Sequence, residues 1–397
     1  MPMTDQHTRR ILTINTGSSS IKAALYDLDG EERLTIAAQV ERIGLSHSRI
    51  RITDADGKTL LDEQRDLPDH PAGLQALFAW LQQQQLTAAL DAIGHRVVYG
   101  GSRYSVPHLI DDDLIQALKA MVPIDPDHLP QAISAIEVAQ KAYPSTPQVA
   151  CFDTAFHRSM PRVAQIYALP RQLADEGVLR YGFHGLSYEY ILRALRAEDP
   201  IAAAGRVIVA HLGNGASMAA MWQGASVETT MGFSPTGGLV MGTRSGDLDP
   251  GALLYLLQAR GMDGATLNQI VNHQAGLLGV SGTSADMRDL LDREATDPRA
   301  AEAIALFCYQ ARKFVGALAA VLGGVETLIF TGGIGERAAP IRSRICAGLE
   351  FLGVTIDAQR NDAHAPIISL ERARVVVRVM KTNEDLMIAR HTYRLLS

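Results

Sequence analysis

Two periods of apolar residues alternate along this chain. Residues 11–30 read ILTINTGSSSIKAALYDLDG: an apolar β-type run, a tight cluster of Gly, Asn and Ser, then a second alternating run ending in a turn. Residues 206–226, RVIVAHLGNGASMAAMWQGAS, repeat that pattern half a chain later, with Gly17 and Gly213 in matching places. Alternation at period two predicts strands, and small residues between two such runs predict a hairpin turn. A turn of glycine and small hydroxyls leaves backbone N–H groups open to an anion. The repeat therefore predicts two lobes that grip one phosphate chain between them.

Strand and helix patterns alternate through the rest of the chain. A third β-rich stretch covers 39–52, and helical periodicity appears over 71–86. DAIGHRVVYGG (91–101) reads as a buried strand running into a glycine-rich loop. QAISAIEVAQKA (131–142) reads as a helix, and PQVACFDTAFH (147–157) as a strand whose end delivers Asp153 and His157. Residues 230–251 are too rich in Gly and Pro for an element, and long loops inside compact domains are usually functional. A long helix over 299–322 is stopped by Gly323 and Gly324. The strand in ETLIFTGGIGE (326–336) enters a helix through glycines. A last strand, ARVVVRVMK (373–381), leads into a C-terminal helix, with Thr382 and Asp385 spaced as a capping box. The repeated β-β-β-α-β order predicts an α/β architecture with a mixed sheet in each lobe and a central cleft.

The chain has 397 residues, which favours two domains over one. With 47% hydrophobic and 20% charged residues it can bury substantial cores. A net charge of −6 excludes a broad basic footprint for nucleic acid or an acidic membrane. Cys151, Cys308 and Cys346 are far apart and lack metal spacing, so they read as buried thiols in a reducing compartment. The polar start MPMTDQHTRR lacks an apolar signal core, and no uninterrupted apolar run reaches about 18 residues. A cytoplasmic protein without a membrane span is expected.

The chemistry-bearing residues fall in the turns. Asn15, Gly17, Ser18, Ser19, Ser20 and Lys22 form one phosphate loop; His211, Gly213, Asn214, Gly215 and Ser217 form the other. TGGIGE (331–336) lacks full dinucleotide-fingerprint spacing, but its glycines allow close approach of a flat or anionic group. Arg96 and Arg244 sit among glycines rather than on helix faces, and their planar forks suit phosphate or carboxylate. His184 is flanked by Gly182 and Gly185. Asp153 ends a strand, and Glu384 opens a helix whose dipole it also complements. Nucleotide-bound Mg²⁺ needs only one or two such groups, with water and phosphate supplying the rest.

In order along the chain, INTGSSSIK, GHRVVYGG, FDTAFH, RYGFHG, HLGNGAS, MGTRSGDLDPG, TGGIGE and KTNED resemble the signatures of the acetate kinase family. That family belongs with sugar kinases, heat-shock 70 proteins and actin. The resemblance implies duplicated ribonuclease-H-like, actin-like ATPase lobes. It implies a first lobe over 1–153, with the C-terminal helix (about 385–397) packing back on it. A second lobe over 154–384 would carry the nucleotide and the dimer contact. It further implies ATP + acetate ⇌ ADP + acetyl phosphate, dependent on Mg²⁺ with Mn²⁺ as a substitute, in a homodimer.

Carried over by motif, Asn15 and Glu384 would hold the metal, directly or through water. Lys22, His211, Leu212, Gly213, Asn214 and Gly215 would meet the phosphates. Asp286, Met287 and Arg288, with Gly333, Ile334, Gly335, Glu336 and Arg337, would enclose ADP. Arg96 would bind the acyl group in a pocket of Val98, Phe183 and Pro235, while Arg244, His184 and Asn214 stabilise the phosphoryl in flight. Asp153 is the family's essential acid. Acetate is ionised at neutral pH, so Asp153 reads as an orienting group for Mg²⁺, its waters or an arginine rather than a base.

The sequence also departs from the family pattern. IDPDHLP (124–130) replaces LxPLHNP, putting Asp127 at a normally apolar position. GFHGTSH becomes GFHGLSYEY, PLEGL becomes PTGGL, and the Asn after GIGE becomes Arg337. Propionate or butyrate kinase is the nearest alternative. A sugar or polyol kinase would need a carboxylate base for its hydroxyl substrate. A non-catalytic nucleotide switch would make no acyl phosphate.

Overall fold

The computed structural model describes residues 8–29, 31–87 and 89–397; the polar start at 1–7 and Gly30 at the end of the first hairpin lie outside the described residues. Eight strands form the first sheet: β1 (Arg9–Thr16), β2 (Ser20–Leu28), β3 (Glu32–Glu41), β4 (Arg49–Asp54), β5 (Thr59–Gln64), β6 (Ala92–Val97), β7 (His108–Leu109) and β8 (Gln148–Phe152). Five form the second: β9 (Arg206–Leu212), β10 (Ala216–Trp222), β11 (Ala225–Thr229), β12 (Thr327–Thr331) and β13 (Val376–Val379).

The duplication is written in strand order. The second sheet runs β11-β10-β9-β12-β13, and the first contains β3-β2-β1-β6-β8 in equivalent places. In each, the leading strand pairs antiparallel with the second strand of its hairpin and parallel with a strand from much later in the chain. The two turns close alike. Gly17 N–H donates to the Ser20 carbonyl at 2.8 Å, and Gly213 N–H to the Gly215 carbonyl at 3.0 Å. The first sheet is extended by β4 and β5 at one edge and β7 at the other.

The chain divides into two compact units, one up to Ala155 together with Asn383–Ser397 and the other Phe156–Thr382. In the first, both faces of the sheet are covered, so β1 is buried without interruption from Ile11 to Thr16. One face packs Leu12, Ile14, Ile21 and Leu25 among Leu74, Leu77 and Phe78 of the helix His70–Gln83. The other packs Ile11, Ala24 and Tyr26 against Ala389 of the helix Glu384–Leu396. That helix needs Gly94: a Cβ there would run into Thr392 and Ile388.

Several sequence expectations are corrected in detail. The single β-rich stretch over 39–52 is two strands, β3 and β4, parted by a turn in which Arg42, Gly44 and His47 have positive φ. The helix expected over 71–86 is His70–Gln83; Asp69 caps it by accepting from Ala72 N–H at 2.8 Å. The Thr382/Asp385 capping box does not form. Asn383 is the cap, accepting from Leu386 N–H at 2.9 Å, while Thr382 Oγ1 accepts from the Ser187 hydroxyl. The helix Pro298–Leu322 is long and apolar enough to cross a membrane by length and composition. Its stripe of Ala300, Ile304, Phe307, Ala311, Val315 and Leu318 is buried in the second unit, which identifies it as a core helix. The three cysteines are free and buried, and burial pushes the thiols of Cys308 and Cys346 up to about 11 and about 12.

Candidate functional site

In the first unit the C-terminal ends of three neighbouring strands converge. β1 brings Asn15, β6 brings Arg96, and Asp153 directly follows β8; Glu384 joins them from the first turn of the C-terminal helix. Arg96 donates from Nε and Nη2 to Asp153 Oδ2 at 3.0 and 2.5 Å, and from Nη1 to Asn15 Oδ1 at 3.2 Å. Asn15 Nδ2 donates to Glu384 Oε2 at 3.0 Å, and that oxygen lies 3.9 Å from Arg96 Nε. Asp153 is fully buried, and its Oδ1 has no hydrogen-bond partner.

This cluster carries more acid than base. Desolvation works against the charge of Arg96, yet the carboxylates of Asp153, Glu384 and Asp125 outweigh it and raise its proton affinity. Burial also raises the Asp153 pKa; Arg96 opposes that rise and Glu384 adds to it. Asp385, with Oδ1 buried and unpartnered, is pushed up to about 6 by lost solvent and the Glu384 charge. Unpartnered hard oxygens and surplus negative charge are the environment a divalent cation neutralises. The donor set therefore fits Mg²⁺: Asp153 Oδ1 is buried without a hydrogen-bond partner and the Glu384 carboxylate belongs to the same cluster, while Asn15 already uses both halves of its amide within it. Among the described residues no group of three or more His, Cys, Asp or Glu forms a closed metal cage, so such an ion would take further oxygens from phosphate and water.

The sequence reading missed part of this cluster. Asp125 is 3% exposed and accepts from His128 Nδ1 at 2.8 Å, leaving Oδ2 buried without a partner. The signal is the i, i+3 spacing of Asp125 and His128 in IDPDH, whereas Asp127, the departure from the family pattern, is only half-buried. His157, read as delivered by a strand end, instead lies in the 3₁₀ turn Ala155–Ser159 of the second unit. There it donates from Nε2 to the Phe183 carbonyl at 3.0 Å and meets Ser226 Oγ at 2.9 Å, a structural role.

In the second unit His184 sits at φ 58°, immediately before the helix Gly185–Glu198. Its Nδ1 meets Ser217 Oγ at 2.8 Å, and its ring stacks on His211 at 4.3 Å between centroids. His211 is held in turn by Ser187 Oγ at 2.8 Å. A Cβ at Gly215 would stand 3.4 Å from His184 Nε2 and 3.8 Å from Arg244 Nη1, so the glycine hairpin, the histidine and the arginine meet at one place. Arg244 is braced by the Pro235 carbonyl at 3.2 Å. Its loop, 230–249, is pinned by Gly238 N–H on Asp247 at 2.7 Å and by Gly242 N–H on the Asn214 carbonyl at 2.9 Å. Val98 in the first unit and Phe183 and Pro235 in the second are buried.

The second unit also holds a cavity of about 470 Å³. Gly213, Asn214, Asp286, Met287, Arg288, Gly333, Ile334 and Arg337 line it, joined by Ala285, Leu291, Ala338 and Pro340, which the sequence reading did not name. His211, Leu212, Gly215, Gly335 and Glu336 are not in its wall. Leu212 and Gly335 are buried, and Glu336 folds back to accept from Gly332 N–H at 3.0 Å. Lys22 is exposed on β2 of the first unit.

Two duplicated mixed sheets, each opening on a glycine hairpin, with a nucleotide-sized cavity beside an arginine and a stacked histidine pair, define a phosphotransferase of the actin-like ATPase fold. The acetokinase family model matches residues 10–390. The chain is 46% identical over 400 residues to the acetate kinase of Methylocella silvestris, covering 98% of each, and 45% identical over 394 residues to that of Rhodopseudomonas palustris, covering 97% of this chain and 98% of that one. Among solved structures, Porphyromonas gingivalis acetate kinase superposes with a TM-score of 0.86 at 35% identity, covering 98% of this chain and all of that one. A propionate kinase from Francisella tularensis gives 0.91 at 35%, covering 97% and 99%. The chain belongs to the acetokinase family and is a kinase.

Proposed function

We propose that this chain catalyses ATP + acetate ⇌ ADP + acetyl phosphate by direct in-line transfer. The observation that carries the reading is the Arg96–Asp153 pair, a nearly buried guanidinium held by a fully buried carboxylate and fixed among carboxylates at the strand ends of the first unit. Such a group suits an anionic acceptor rather than a sugar hydroxyl. A carboxylate oxygen attacks the γ-phosphorus, the bond to the bridging β-phosphate oxygen breaks, and ADP leaves with the electron pair. Acetate is already the anion at neutral pH, so no protein base is required.

Each residue then has a task. Arg96, with Val98, Phe183 and Pro235, binds the acyl group. Arg244, His184 and Asn214 neutralise charge on the equatorial oxygens of the transferring phosphoryl. Gly213, Asn214, Asp286, Met287, Arg288, Gly333, Ile334 and Arg337 seat the nucleotide, with Lys22, His211, Leu212, Gly215, Gly335 and Glu336 supporting its phosphates and their loops. Asp153 holds Arg96 in orientation and, with Glu384 and Asn15, would hold Mg²⁺ or Mn²⁺ directly or through water. When bound, that ion neutralises charge on the phosphates.

Three free, buried cysteines support a cytoplasmic setting. The helix Pro250–Gln258 buries none of its residues and exposes Leu254, Tyr255 and Leu257, which supports a homodimer. We infer no nucleic-acid or membrane partner.

Hydroxylamine trapping of acyl phosphate tests the reading. With Mg²⁺ and nucleoside triphosphate, acetate is expected to give hydroxamate, whereas glycerol and hexoses leave the nucleotide unconsumed. Nucleotide consumption with a polyol but not with acetate would overturn the assignment. A kcat/KM higher for propionate than for acetate would move the chain to the propionate reading that the Francisella structure keeps open. One methylene is worth about 10–200-fold in such a pocket.

A further inference from the structure

We propose that Tyr188 is a positioning residue for the transfer step: acting through Ser217, it fixes the proton of His184 on Nε2 and makes that nitrogen a hydrogen-bond donor. The inference rests on the kinase reading above, in which His184 serves the phosphoryl, and adds the group that decides how it does so. Position 188 is one at which the sequence leaves the family pattern, since GFHGTSH has a histidine where GFHGLSY has Tyr188.

The three side chains form one line of hydrogen bonds within the second unit. Tyr188, on the helix Gly185–Glu198, brings its hydroxyl to 2.5 Å from Ser217 Oγ. Ser217, on β10, stands 2.8 Å from His184 Nδ1. Tyr188 and Ser217 are both fully buried. Ser217, which the sequence pattern puts in the second phosphate loop, therefore spends its hydroxyl on these two partners.

Counting protons sets the direction. Ser217 has a single hydroxyl proton to share between two neighbours. A phenol is a far stronger acid than an alcohol, and the contact lies at the short end of the O–H···O range, so Tyr188 donates to Ser217. Ser217 in turn donates to Nδ1 of His184. A neutral imidazole that accepts at Nδ1 carries its proton on Nε2. That nitrogen lies on the hairpin side: a Cβ at Gly215 would stand 3.4 Å from it and 3.8 Å from Arg244 Nη1. An N–H there adds a hydrogen bond to the charge of the arginine, whereas a bare nitrogen would repel a phosphoryl oxygen. His184 also sits at φ 58°, a left-handed conformation that a histidine keeps only where its surroundings hold it. The relay at Nδ1 and the His211 ring stacked on its face supply that hold.

Nitrogen NMR of the full-length protein, labelled at its histidine rings and held at about pH 8 where an ordinary histidine is neutral, reads the tautomer apart from turnover. A His184→Gln spectrum assigns the signals. In the unaltered protein the proton of His184 is expected on Nε2. Tyr188→Phe keeps the buried ring and removes only the hydroxyl, so it should move the proton toward Nδ1. The same variant should lower kcat for acyl phosphate about tenfold, with KM for acetate and ATP changed by less than about twofold. Ser217→Ala, which cuts the relay from the other side, should do likewise. A proton on Nδ1 in the unaltered protein, or a tautomer that survives both substitutions, would overturn the inference, and the first of these is read whether or not a variant folds. An unchanged kcat in Tyr188→Phe would also overturn it, by removing Tyr188 from the transfer step. Hydroxamate formation by the unaltered protein is measured alongside. A relay that behaves as expected with no acyl phosphate from acetate would support the tautomer assignment and refute the kinase reading instead.

Discussion

At the scale of single residues, the site separates groups that act by charge from groups that act by shape. Arg244 belongs to the first kind: a braced guanidinium next to His184 and the Gly215 hairpin, with no large apolar area of its own at stake. Arg244→Ala is expected to lower kcat by about 10³-fold, the scale of a lost transition-state arginine, with the nucleotide Kd unchanged. A near-normal kcat by single-turnover assay would remove Arg244 from the reaction. His157 is of the second kind. Burial holds its pKa down to about 4, and with the Phe183 carbonyl taking the Nε2 proton the ring is neutral in the fold. The unfolded chain binds a proton near pH 6.5 that the folded one refuses until about pH 4, so stability falls as pH drops through that window, by on the order of 3 kcal/mol. Urea midpoints followed from pH 7 to pH 4.5 should decline, and His157→Gln should flatten that decline. An unchanged slope would mean that His157 is not neutral when buried.

Elements place these residues, and here the chain was most readable. Period-two apolar runs around Gly17 and Gly213 foretold both hairpins, because alternation and small turn residues are local properties. Harder to read was the cap of the last helix. Asn383 won over Thr382 because Thr382 is bonded to Ser187, a partner distant in sequence that no local spacing reveals. The Asp125–His128 pair escaped for a similar reason: its burial follows from the packing of the segment before the helix Leu129–Ala142, not from its own composition. Glycines carry the tightest element contacts. Gly94→Val should loosen the C-terminal helix from β6 and cost about 1–3 kcal/mol by urea unfolding. No loss would show that the helix does not pack there. Gly242→Ala drives a methyl into the Asn214 amide beside the cavity, and a displacement of that kind is expected to lower kcat on the order of 10²-fold with the thermal midpoint unmoved. Normal turnover would show that Asn214 need not hold that position.

For the whole molecule, one supersecondary plan serves two chemical tasks. Strand order β3-β2-β1-β6-β8 ends in carboxylates and an arginine, and β11-β10-β9-β12-β13 ends in a nucleotide cavity with a stacked histidine pair. The repeat was visible in the sequence as two like hairpins, and the division of tasks was visible in their differing residues. Which side chains face a cavity was not: Leu291 and Pro340 line it while Glu336 turns away, and only the folded path of 285–291 and 332–340 decides that. The exposed apolar helix Pro250–Gln258 predicts that Leu254→Asp yields a monomer by light scattering, and a persisting dimer would place the contact elsewhere. The account's central claim is a single direct displacement, in which a substrate carboxylate and not a protein side chain attacks the phosphorus. The stereochemical course at a γ-phosphorus made chiral with oxygen isotopes and sulfur tests it most directly. Inversion is the predicted result; retention, the mark of two successive displacements through a phosphorylated side chain, would contradict it.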